Sequence, residues 1–411
     1  MKQFNVPAFY RSSLISKVKD YRRVQDPRKK DNQPSHLNFG KIKYVIARHF
    51  GFCYGVENAI EIAFKAIDEN PDKRIFLLSE MIHNPEVNND LTARGLKFLQ
   101  STEGKQLIPF DALKADDIVV IPAFGAPLQL LALLEARGIQ TQAYNTTCPF
   151  VERVWKKSEQ IGQSNHTIII HGKYNHEETR STFSRSAKDA QAVVVLRDMA
   201  EAEKLTAYIL QQKSQAEFET DFTNKHTEGF DIQKHLNKIG VINQTTMLAT
   251  ETQEIADYLK SVMQRKFGEH EIKEHFAETR DTLCYATKEN QDATLGLLSS
   301  EADLAIVVGG YNSSNTQHLV ELLEQKFKTY YISSAQEIEN QNTIHHYDLH
   351  QKKRISSHLF LPEKESLRII ITSGASCPDA MLDQVINKIN SFYNIHKDEA
   401  DVLKELMANN P

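Results

Sequence analysis

The 411-residue sequence predicts an α/β protein with mainly parallel sheets. Short β-branched runs, such as Thr167–His171 and Leu304–Val308, alternate with segments whose apolar residues recur at helical spacing. Strands that alternate with helices are typical of parallel sheets covered by helices. The composition, 40% hydrophobic and 25% charged, is that of a globular protein, and the length exceeds one ordinary domain.

The order of predicted elements divides the chain into three α/β regions. Strands are predicted at residues 44–47, 74–78, 117–121, 167–171, 192–196, 239–242, 304–308, 329–332 and 368–372. A helix over residues 56–68 has one apolar face, formed by Val56, Ala59, Ile60, Ala63 and Ile67. The predicted organisation is a basic N-terminal extension (1–42), three regions (43–148, 149–283 and 284–393) and a C-terminal tail (394–411). The polar stretch near 211–238 is interpreted as an insertion or long loop, and the charged tail is expected to fray.

The N-terminal extension carries a local excess of positive charge. Residues 1–43 hold eleven Lys/Arg and three Asp/Glu, although the whole chain has a net charge of −5. We interpret this arm as a solvated, partly disordered lead-in. The alternatives are a docking strip for an acidic protein or a nucleic acid, and a transit peptide. No RNA-binding motif, apolar leader or membrane-length apolar run is present, so we predict a cytoplasmic protein without nucleic-acid or membrane partners.

Three of the four cysteines share one local context. Cys53, Cys148 and Cys284 each precede a predicted helix, at spacings of 95 and 136 residues. Backbone N–H groups and the helix dipole at such positions are expected to lower the thiol pKa and favour a thiolate ligand. One cysteine per region predicts a shared metal site. The alternatives are three unrelated buried cysteines, or zinc bound by the thiolates with His83 or His176.

Polar groups recur where a predicted strand gives way to a helix. The segments concerned contain His83, His176–Thr179, residues 244–246, residues 312–315 and residues 373–376. Ligands of parallel α/β sheets bind at these carboxyl ends, where hydroxyls, amides and helix N–H groups suit phosphate oxygens. Each group alone is also ordinary capping and turn chemistry. No P-loop and no G-x-G-x-x-G motif occurs, so nucleotide binding is not indicated.

Taken together, these segments resemble the 4-hydroxy-3-methylbut-2-enyl diphosphate reductase (LytB or IspH) family. The resemblance covers roughly residues 43–392 and is carried, in the family's order, by G-F-C-Y-G-V (51–56), H-N-P (83–85), T-T-C-P (146–149), H-E-E-T (176–179), N-Q-T-T (243–246), C-Y-A-T (284–287), N-S-S-N (312–315) and S-G-A-S-C-P-D (373–379). It implies a three-lobed, trefoil-like arrangement of α/β units around a central iron–sulfur cluster.

The resemblance also implies a reaction and a set of site residues. One [4Fe–4S] cluster per chain would be held by Cys53, Cys148 and Cys284, with an open iron for the substrate's hydroxyl. Glu178 would be the proton donor, with Thr245 bonded to the reacting hydroxyl. The diphosphate would be bound by His83, His176, Ser313, Ser314, Asn315 and Ser376. The implied reaction is reductive dehydroxylation to isopentenyl and dimethylallyl diphosphates, the last step of the methylerythritol phosphate pathway; a zinc protein or a pure electron carrier on the same cysteines is the alternative.

One segment departs from the common family pattern. Many members have a histidine in S-A-H-G where this chain reads P-A-F-G, so Phe124 cannot donate a hydrogen bond to a phosphate. This segment, the basic arm and the stretch near 211–238 resemble the plant and cyanobacterial branch. That resemblance implies a ferredoxin- or flavodoxin-type electron donor, and the basic arm is a hypothetical docking surface for an acidic ferredoxin.

Overall fold

The computed structural model describes residues 4–278 and 282–409, and it confirms the α/β class with mainly parallel sheets. The strands of the described residues are β1 (Ser35–Asn38), β2 (Ile42–Ile46), β3 (Ile75–Leu77), β4 (Lys97–Phe98), β5 (Ile118–Val120), β6 (Thr167–His171), β7 (Val193–Leu196), β8 (Ile239–Asn243), β9 (Phe276–Ala277), β10 (Leu304–Val308), β11 (Thr329–Ile332), β12 (Thr343–Asp348), β13 (Lys353–His358) and β14 (Leu367–Ser373). Each of the nine predicted strands corresponds to one of them.

Helices separate most of these strands. They are α1 (Ile15–Gln25), α2 (Tyr54–Glu69), α3 (Pro85–Ala93), α4 (Leu128–Glu135), α5 (Pro149–Gln163), α6 (Glu177–Asp189), α7 (Met199–Ile209), α8 (Gln215–Asp221), α9 (Ile232–His235), α10 (Ala249–Phe267), α11 (Ile272–His275), α12 (Tyr285–Leu297), α13 (Ser314–Glu324), α14 (Asp379–Ser391) and α15 (Glu399–Asn409). No helix of the described part is both long and apolar enough to cross a membrane.

The chain folds into two compact units. Unit I comprises Met1–Glu57, Ile82–Asn89 and Tyr285–Pro411. Its main sheet has the order β1-β2-β14-β10-β11, in which only β1 is antiparallel to its neighbour. A separate antiparallel hairpin pairs β12 with β13. The central strands β10 and β14 are buried along their apolar residues, as expected for parallel strands covered on both faces.

Unit II comprises Asn58–Met81 and Asp90–Cys284 and contains two parallel sheets. The smaller has the order β4-β3-β5, and the larger has the order β7-β6-β8-β9. Strands β6, β7 and β8 are buried at every position, since helices cover both faces of the sheet. The loops after β6 and β8 therefore end at the same edge, which places the segments containing His176 and Thr245 together.

The N-terminal arm is folded, so its interpretation as a solvated lead-in was wrong. The core of unit I buries Leu14, the N-cap of α1, together with Ile15 and Val18 of the helix; each is at most 2% exposed. Lys19 forms an ion pair with Asp379 at 2.5 Å. The high density of charged residues obscured a short apolar stripe at helical spacing, which is sufficient to dock the helix.

Two other segments also differ from the prediction. The stretch near 211–238 is not a loop: it contains α8 and α9 and buries Phe218, Phe222 and Phe230 in the core of unit II. The tail does not fray, because α15 buries Val402 and Leu406 against unit I. In both segments a few large apolar residues anchor an otherwise polar helix.

Candidate active site

Glu178 and Thr245 form the best-defined pair of unit II. Glu178 is the second residue of α6 and is 1% exposed. The Thr245 N–H donates to Glu178 Oε1 at 2.5 Å, and the Thr245 hydroxyl donates to Oε2 at 2.9 Å. Both carboxyl oxygens are thus held by one residue at the end of β8. This pairing fixes the orientation of a buried acid next to a hydroxyl group.

His176 caps the same helix and has a defined tautomer. Its Nδ1 accepts the N–H of Glu178 at 3.2 Å, so Nδ1 is unprotonated and the neutral ring carries its proton on Nε2. The Phe124 ring packs against it in a T-shaped arrangement, with centroids 5.5 Å apart and planes at 81°. Phe124 therefore contributes an apolar contact where many family members have a histidine, and His176 retains one N–H donor.

Cys148 lies at the N-cap of α5, as the sequence predicted, but its thiol is not acidic. Burial raises its pKa to about 12, although the N–H groups of Phe150 and Val151 act in the opposite direction. The negative charges of Cys284 and Glu178 raise the pKa further. The expectation of a lowered pKa was wrong for this residue because desolvation outweighs the helix N-terminus. A thiolate here therefore requires a positively charged partner.

Cys284 is 8% exposed and immediately precedes α12. Two residues earlier, the Thr282 hydroxyl donates to Asn243 Oδ1 at the end of β8. The Asn243 amide in turn donates to the Gln244 carbonyl at 2.9 Å. The segment that carries Cys284 is thereby attached to the loop that carries Thr245.

In unit I, Cys53 is fixed by backbone hydrogen bonds. Its N–H donates to the Ala375 carbonyl at 3.3 Å, and its carbonyl accepts the Glu57 N–H at 3.0 Å in the first turn of α2. The preceding turn requires Gly51, whose φ is +73° and whose missing side chain leaves room for the Lys19–Asp379 ion pair. Cys53 is therefore held next to the loop that contains Ser376.

His83 and Ser376 also meet within unit I. The Ser376 hydroxyl donates to the His83 carbonyl at 3.0 Å, and both residues are buried. Gly310 packs so closely on the same carbonyl that a side chain there would collide with it. The loops after β10 and β14 and the turn before α3 consequently form one cluster.

The N-S-S-N segment lies at the start of α13. Ser313 is the N-cap, and Ser314 and Asn315 are 1% and 2% exposed. Among the described residues, neither Oδ1 nor Nδ2 of Asn315 has a hydrogen-bond partner. Leaving a buried amide unsatisfied costs about 1–3 kcal/mol, so a polar ligand is the expected partner.

Each unit therefore brings together part of the predicted set. Unit II groups Cys148, Cys284, Glu178, Thr245 and His176, and unit I groups Cys53, His83, Ser376 and the N-S-S-N residues. Within residues 4–278 and 282–409, no set of three or more His, Cys, Asp or Glu side chains could hold a metal ion. A zinc site needs all its donors within about 2.3 Å of one ion, whereas a cluster spreads its thiolates over several irons.

Sequence reasoning missed the residues that support these groups. Thr316 bonds to Ser313, and Thr282 bonds to Asn243. Within segments that the sequence did single out, Gln244 Oε1 accepts hydrogen bonds from the Lys173 N–H and the Thr179 hydroxyl at 3.1 and 3.0 Å. Only Thr316 had a local signal, because a hydroxyl residue three positions after an N-cap serine lies where capping contacts form.

Buried thiols beside a carboxyl group, on loops at the carboxyl ends of parallel strands, are features of a metal-dependent α/β enzyme. The site and fold therefore define this class. The chain belongs to the LytB protein family, whose family model matches residues 44–390. The family predicted from the eight motifs is confirmed.

Relatives and solved structures agree with this assignment. A 4-hydroxy-3-methylbut-2-enyl diphosphate reductase from Picosynechococcus sp. is 39% identical over 381 residues, covering 92% of this chain and 89% of the relative. One from Thermosynechococcus vestitus is 38% identical over 389 residues, covering 94% of this chain and 90% of the relative.

The reductase structure from Plasmodium falciparum has a TM-score of 0.61 at 19% identity, covering 92% of this chain and 100% of that one. A second reductase structure, described as the terminal enzyme of the non-mevalonate pathway, has a TM-score of 0.51 at 23% identity, covering 85% and 99%. These two structures support the fold.

Proposed function

We propose that this protein reduces 4-hydroxy-3-methylbut-2-enyl diphosphate to isopentenyl and dimethylallyl diphosphates. The observation that carries the proposal is the buried Glu178–Thr245 pair beside Cys148 and Cys284, in a chain of the LytB family. Reductive loss of the allylic hydroxyl consumes two electrons and two protons and releases water. The site must therefore hold a redox group, a proton donor and a phosphate-binding surface.

Cys53, Cys148 and Cys284 are the proposed ligands of one [4Fe–4S] cluster. Their fit rests on the chemistry of the donors: the Cys148 thiol is buried beside a second thiol and a carboxyl group, where a thiolate is unfavourable without positive charge. A bound cluster supplies single electrons and a Lewis-acidic iron for the substrate's hydroxyl. Cys377 is fully buried among the apolar residues of unit I and has no such role.

The diphosphate is bound by donors that carry no negative charge. Asn315 offers its amide, Ser313 offers its hydroxyl, and His176 offers Nε2–H. The Ser376 hydroxyl donates to the His83 carbonyl in this structure, so it must turn its proton toward the phosphate when the substrate binds. Ser314 and His83 complete the proposed set. Phosphate oxygens accept hydrogen bonds only, so each of these groups must donate when the substrate is bound. The N-terminus of α13 adds the favourable end of its dipole.

Glu178 and Thr245 form a short proton relay. With Glu178 ionised, Thr245 Oγ1 donates to Oε2 at 2.9 Å. When Oε2 is protonated, it donates to Thr245 Oγ1 instead, and the threonine proton is then available to the leaving hydroxyl. Proton delivery to that oxygen converts a poor leaving group into water. Burial of Glu178 excludes bulk water from this path.

A ferredoxin- or flavodoxin-type protein is the proposed electron donor. Exposed basic residues of the N-terminal arm, including Lys17, Arg28 and Lys30, provide a positive surface that suits an acidic partner. A cytoplasmic location is also proposed, because cluster ligands must remain reduced and free thiols persist in reducing compartments.

The test compares the cysteines one at a time. Anaerobically purified wild-type protein should be brown and contain four irons per chain; Cys53→Ser, Cys148→Ser and Cys284→Ser should each fail to retain a stable cluster. Cys377→Ala is the matched control and should keep full iron content. A colourless wild-type protein with stoichiometric zinc would refute the proposal, as would normal iron content in Cys148→Ser.

A further inference from the structure

Thr316 is a buried residue at a junction of three loops in unit I. It is the third residue of α13 and is 0% exposed. It lies between the ends of β10 and β14 and beside the N-cap of its own helix. None of the roles proposed above requires it, yet it contacts the segments that carry Ser313 and Ser376.

Its first contact is with the Ser313 side chain. The Thr316 N–H donates to Ser313 Oγ at 3.3 Å, and the Thr316 hydroxyl donates to the same atom at 2.9 Å. A hydroxyl oxygen has two acceptor positions and one proton. Because both acceptor positions of Ser313 are filled, its proton must point away from Thr316.

Its second contact is steric. A Cβ at Gly309 would lie 2.7 Å from Thr316 Oγ1, and a Cβ at Gly374 would lie closer still. These glycines directly follow β10 and β14, and the Gly374 N–H donates to the Val308 carbonyl at 3.2 Å. Thr316 thus fills the space that the two glycines leave open. It sets the separation between the Ser313–Asn315 segment and the loop that carries Ser376.

A polar ligand at this junction is indicated by a neighbouring side chain. Asn315 is 98% buried, and within the described part of the chain both of its amide atoms lack partners. It adjoins Thr316 and follows Ser313 by two residues. An oriented serine proton and an unsatisfied amide on the first turn of one helix suit an acceptor such as a phosphate oxygen.

We propose that Thr316 is a positioning residue that directs the Ser313 hydroxyl proton toward a phosphate group of the ligand. The inference rests on the proposed diphosphate site and deepens it. Without the threonine hydroxyl, Ser313 can turn its proton inward and present a lone pair, which repels a phosphate oxygen. With the threonine hydroxyl in place, Ser313 already presents its proton before the ligand arrives. This preorganisation lowers the free-energy cost of orienting that proton on binding.

The first experiment measures pyrophosphate binding to the iron-loaded protein by calorimetry. Thr316→Val keeps the shape and removes the hydroxyl; it should weaken binding about ten- to hundred-fold, the usual effect of losing one hydrogen bond to a charged group. Thr316→Ser keeps the hydroxyl and should stay within about threefold of wild type. In turnover assays Thr316→Val should raise KM with kcat nearly unchanged, and its visible spectrum should match wild type.

The results distinguish this inference from the proposed function. Equal affinities of Thr316→Val and wild type, or equal losses in Thr316→Val and Thr316→Ser, would overturn the positioning role. If wild-type protein itself binds no pyrophosphate, the diphosphate site is wrong.

A second test uses Gly374→Ala and does not depend on the fold of the valine variant. The added methyl should displace Thr316 and weaken pyrophosphate binding in the wild-type background. The same change should be less harmful when Thr316→Ala has removed the clashing oxygen. An equal penalty in both backgrounds would refute the contact.

Discussion

At the scale of single residues, the position of Phe124 shows how one contact can replace another. A histidine there could donate to a phosphate, whereas phenylalanine cannot. In this protein the Phe124 ring makes a T-shaped contact with His176, whose Nδ1 already accepts the Glu178 N–H at the helix N-terminus. The remaining Nε2–H of His176 is thus held in place by an apolar neighbour. Phenylalanine at position 124 thus removes one possible phosphate donor, and its contact fixes the orientation of the His176 ring.

Glu178→Gln should separate proton transfer from binding. The amide keeps the size of the carboxyl group and can still accept the Thr245 N–H, but it cannot deliver a proton. We expect iron content and pyrophosphate affinity close to wild type and a loss of at least about 100-fold in kcat, the usual contribution of a general acid. Glu203→Gln, at an exposed position of unit II, is the control. Turnover above a tenth of wild type would remove Glu178 from this role.

His49 should make unit I sensitive to acid. Burial, and then the charges of Arg48 and Lys29, lower its pKa from 6.5 to about 4. Below pH 6.5 the unfolded chain therefore binds a proton that the folded chain resists, and the free energy of unfolding falls as the pH drops toward 4. By denaturant titration, His49→Gln should reduce the difference in stability between pH 7 and pH 5 by about 2 kcal/mol. His350→Gln, an exposed histidine, should leave it unchanged; a similar effect of both variants would contradict the assignment.

At the scale of elements, α1 shows why a charged segment can still be structural. Four of its eleven residues are Lys or Arg, but Ile15 and Val18, with the preceding Leu14, face the core. Burial of three such side chains contributes about 1.5–3 kcal/mol each toward offsetting the cost of ordering the helix. The average composition of the arm does not show that its few apolar residues lie on one face of a helix.

Ile15→Ala tests whether the arm is part of the folded core. Ile15 is 0% exposed, so the truncation should lower the free energy of unfolding by about 2–5 kcal/mol. Val24→Ala, at a 79% exposed position of the same helix, should change it by less than about 0.5 kcal/mol. Denaturant unfolding followed by circular dichroism measures both. A small effect of Ile15→Ala would mean that the arm is not docked in solution.

The elements that sequence analysis recovered differ physically from those it missed. Buried parallel strands such as β6 and β10 are continuous apolar runs, and their pattern is local. Strands β12 and β13 have half-exposed sequences that mix polar and apolar residues. Each strand is therefore defined by its pairing with the other rather than by a local pattern. Strand β1 is likewise short and specified by pairing with β2.

At the scale of the whole molecule, the candidate site could be predicted as a set of segments but not as a network. The motifs identify Cys148, Glu178 and Thr245 because the family's order of segments is preserved. The hydrogen bond from Thr282 to Asn243 joins residues 39 positions apart. The hydrogen bond from Thr316 to Ser313 joins residues 3 positions apart. The Thr282–Asn243 pair depends on how strands are ordered in the sheet, and a single sequence does not encode that order locally. The Thr316–Ser313 pair lies within one helix turn, so its signal is local.

The distribution of charge over the whole molecule bears on electron delivery. The arm is strongly basic in a chain whose net charge is −5, and its exposed cations would attract an acidic donor from a distance. Removing residues 1–40 cannot test this, because the deletion would also remove the buried face of α1. Charge reversal at exposed positions leaves the fold in place.

We therefore expect Lys17→Glu, Arg28→Glu and Lys30→Glu, combined in one variant, to raise the KM for a plant-type ferredoxin at least about fivefold at low ionic strength. The effect should shrink as salt is added, because screening weakens long-range attraction. Turnover driven by dithionite should be unchanged, since that donor needs no docking surface. The control reverses three exposed lysines elsewhere in the chain, namely Lys73, Lys234 and Lys353. Equal increases in KM for both variants would show that net charge alone governs the encounter, and the arm would then have no part in donor recognition.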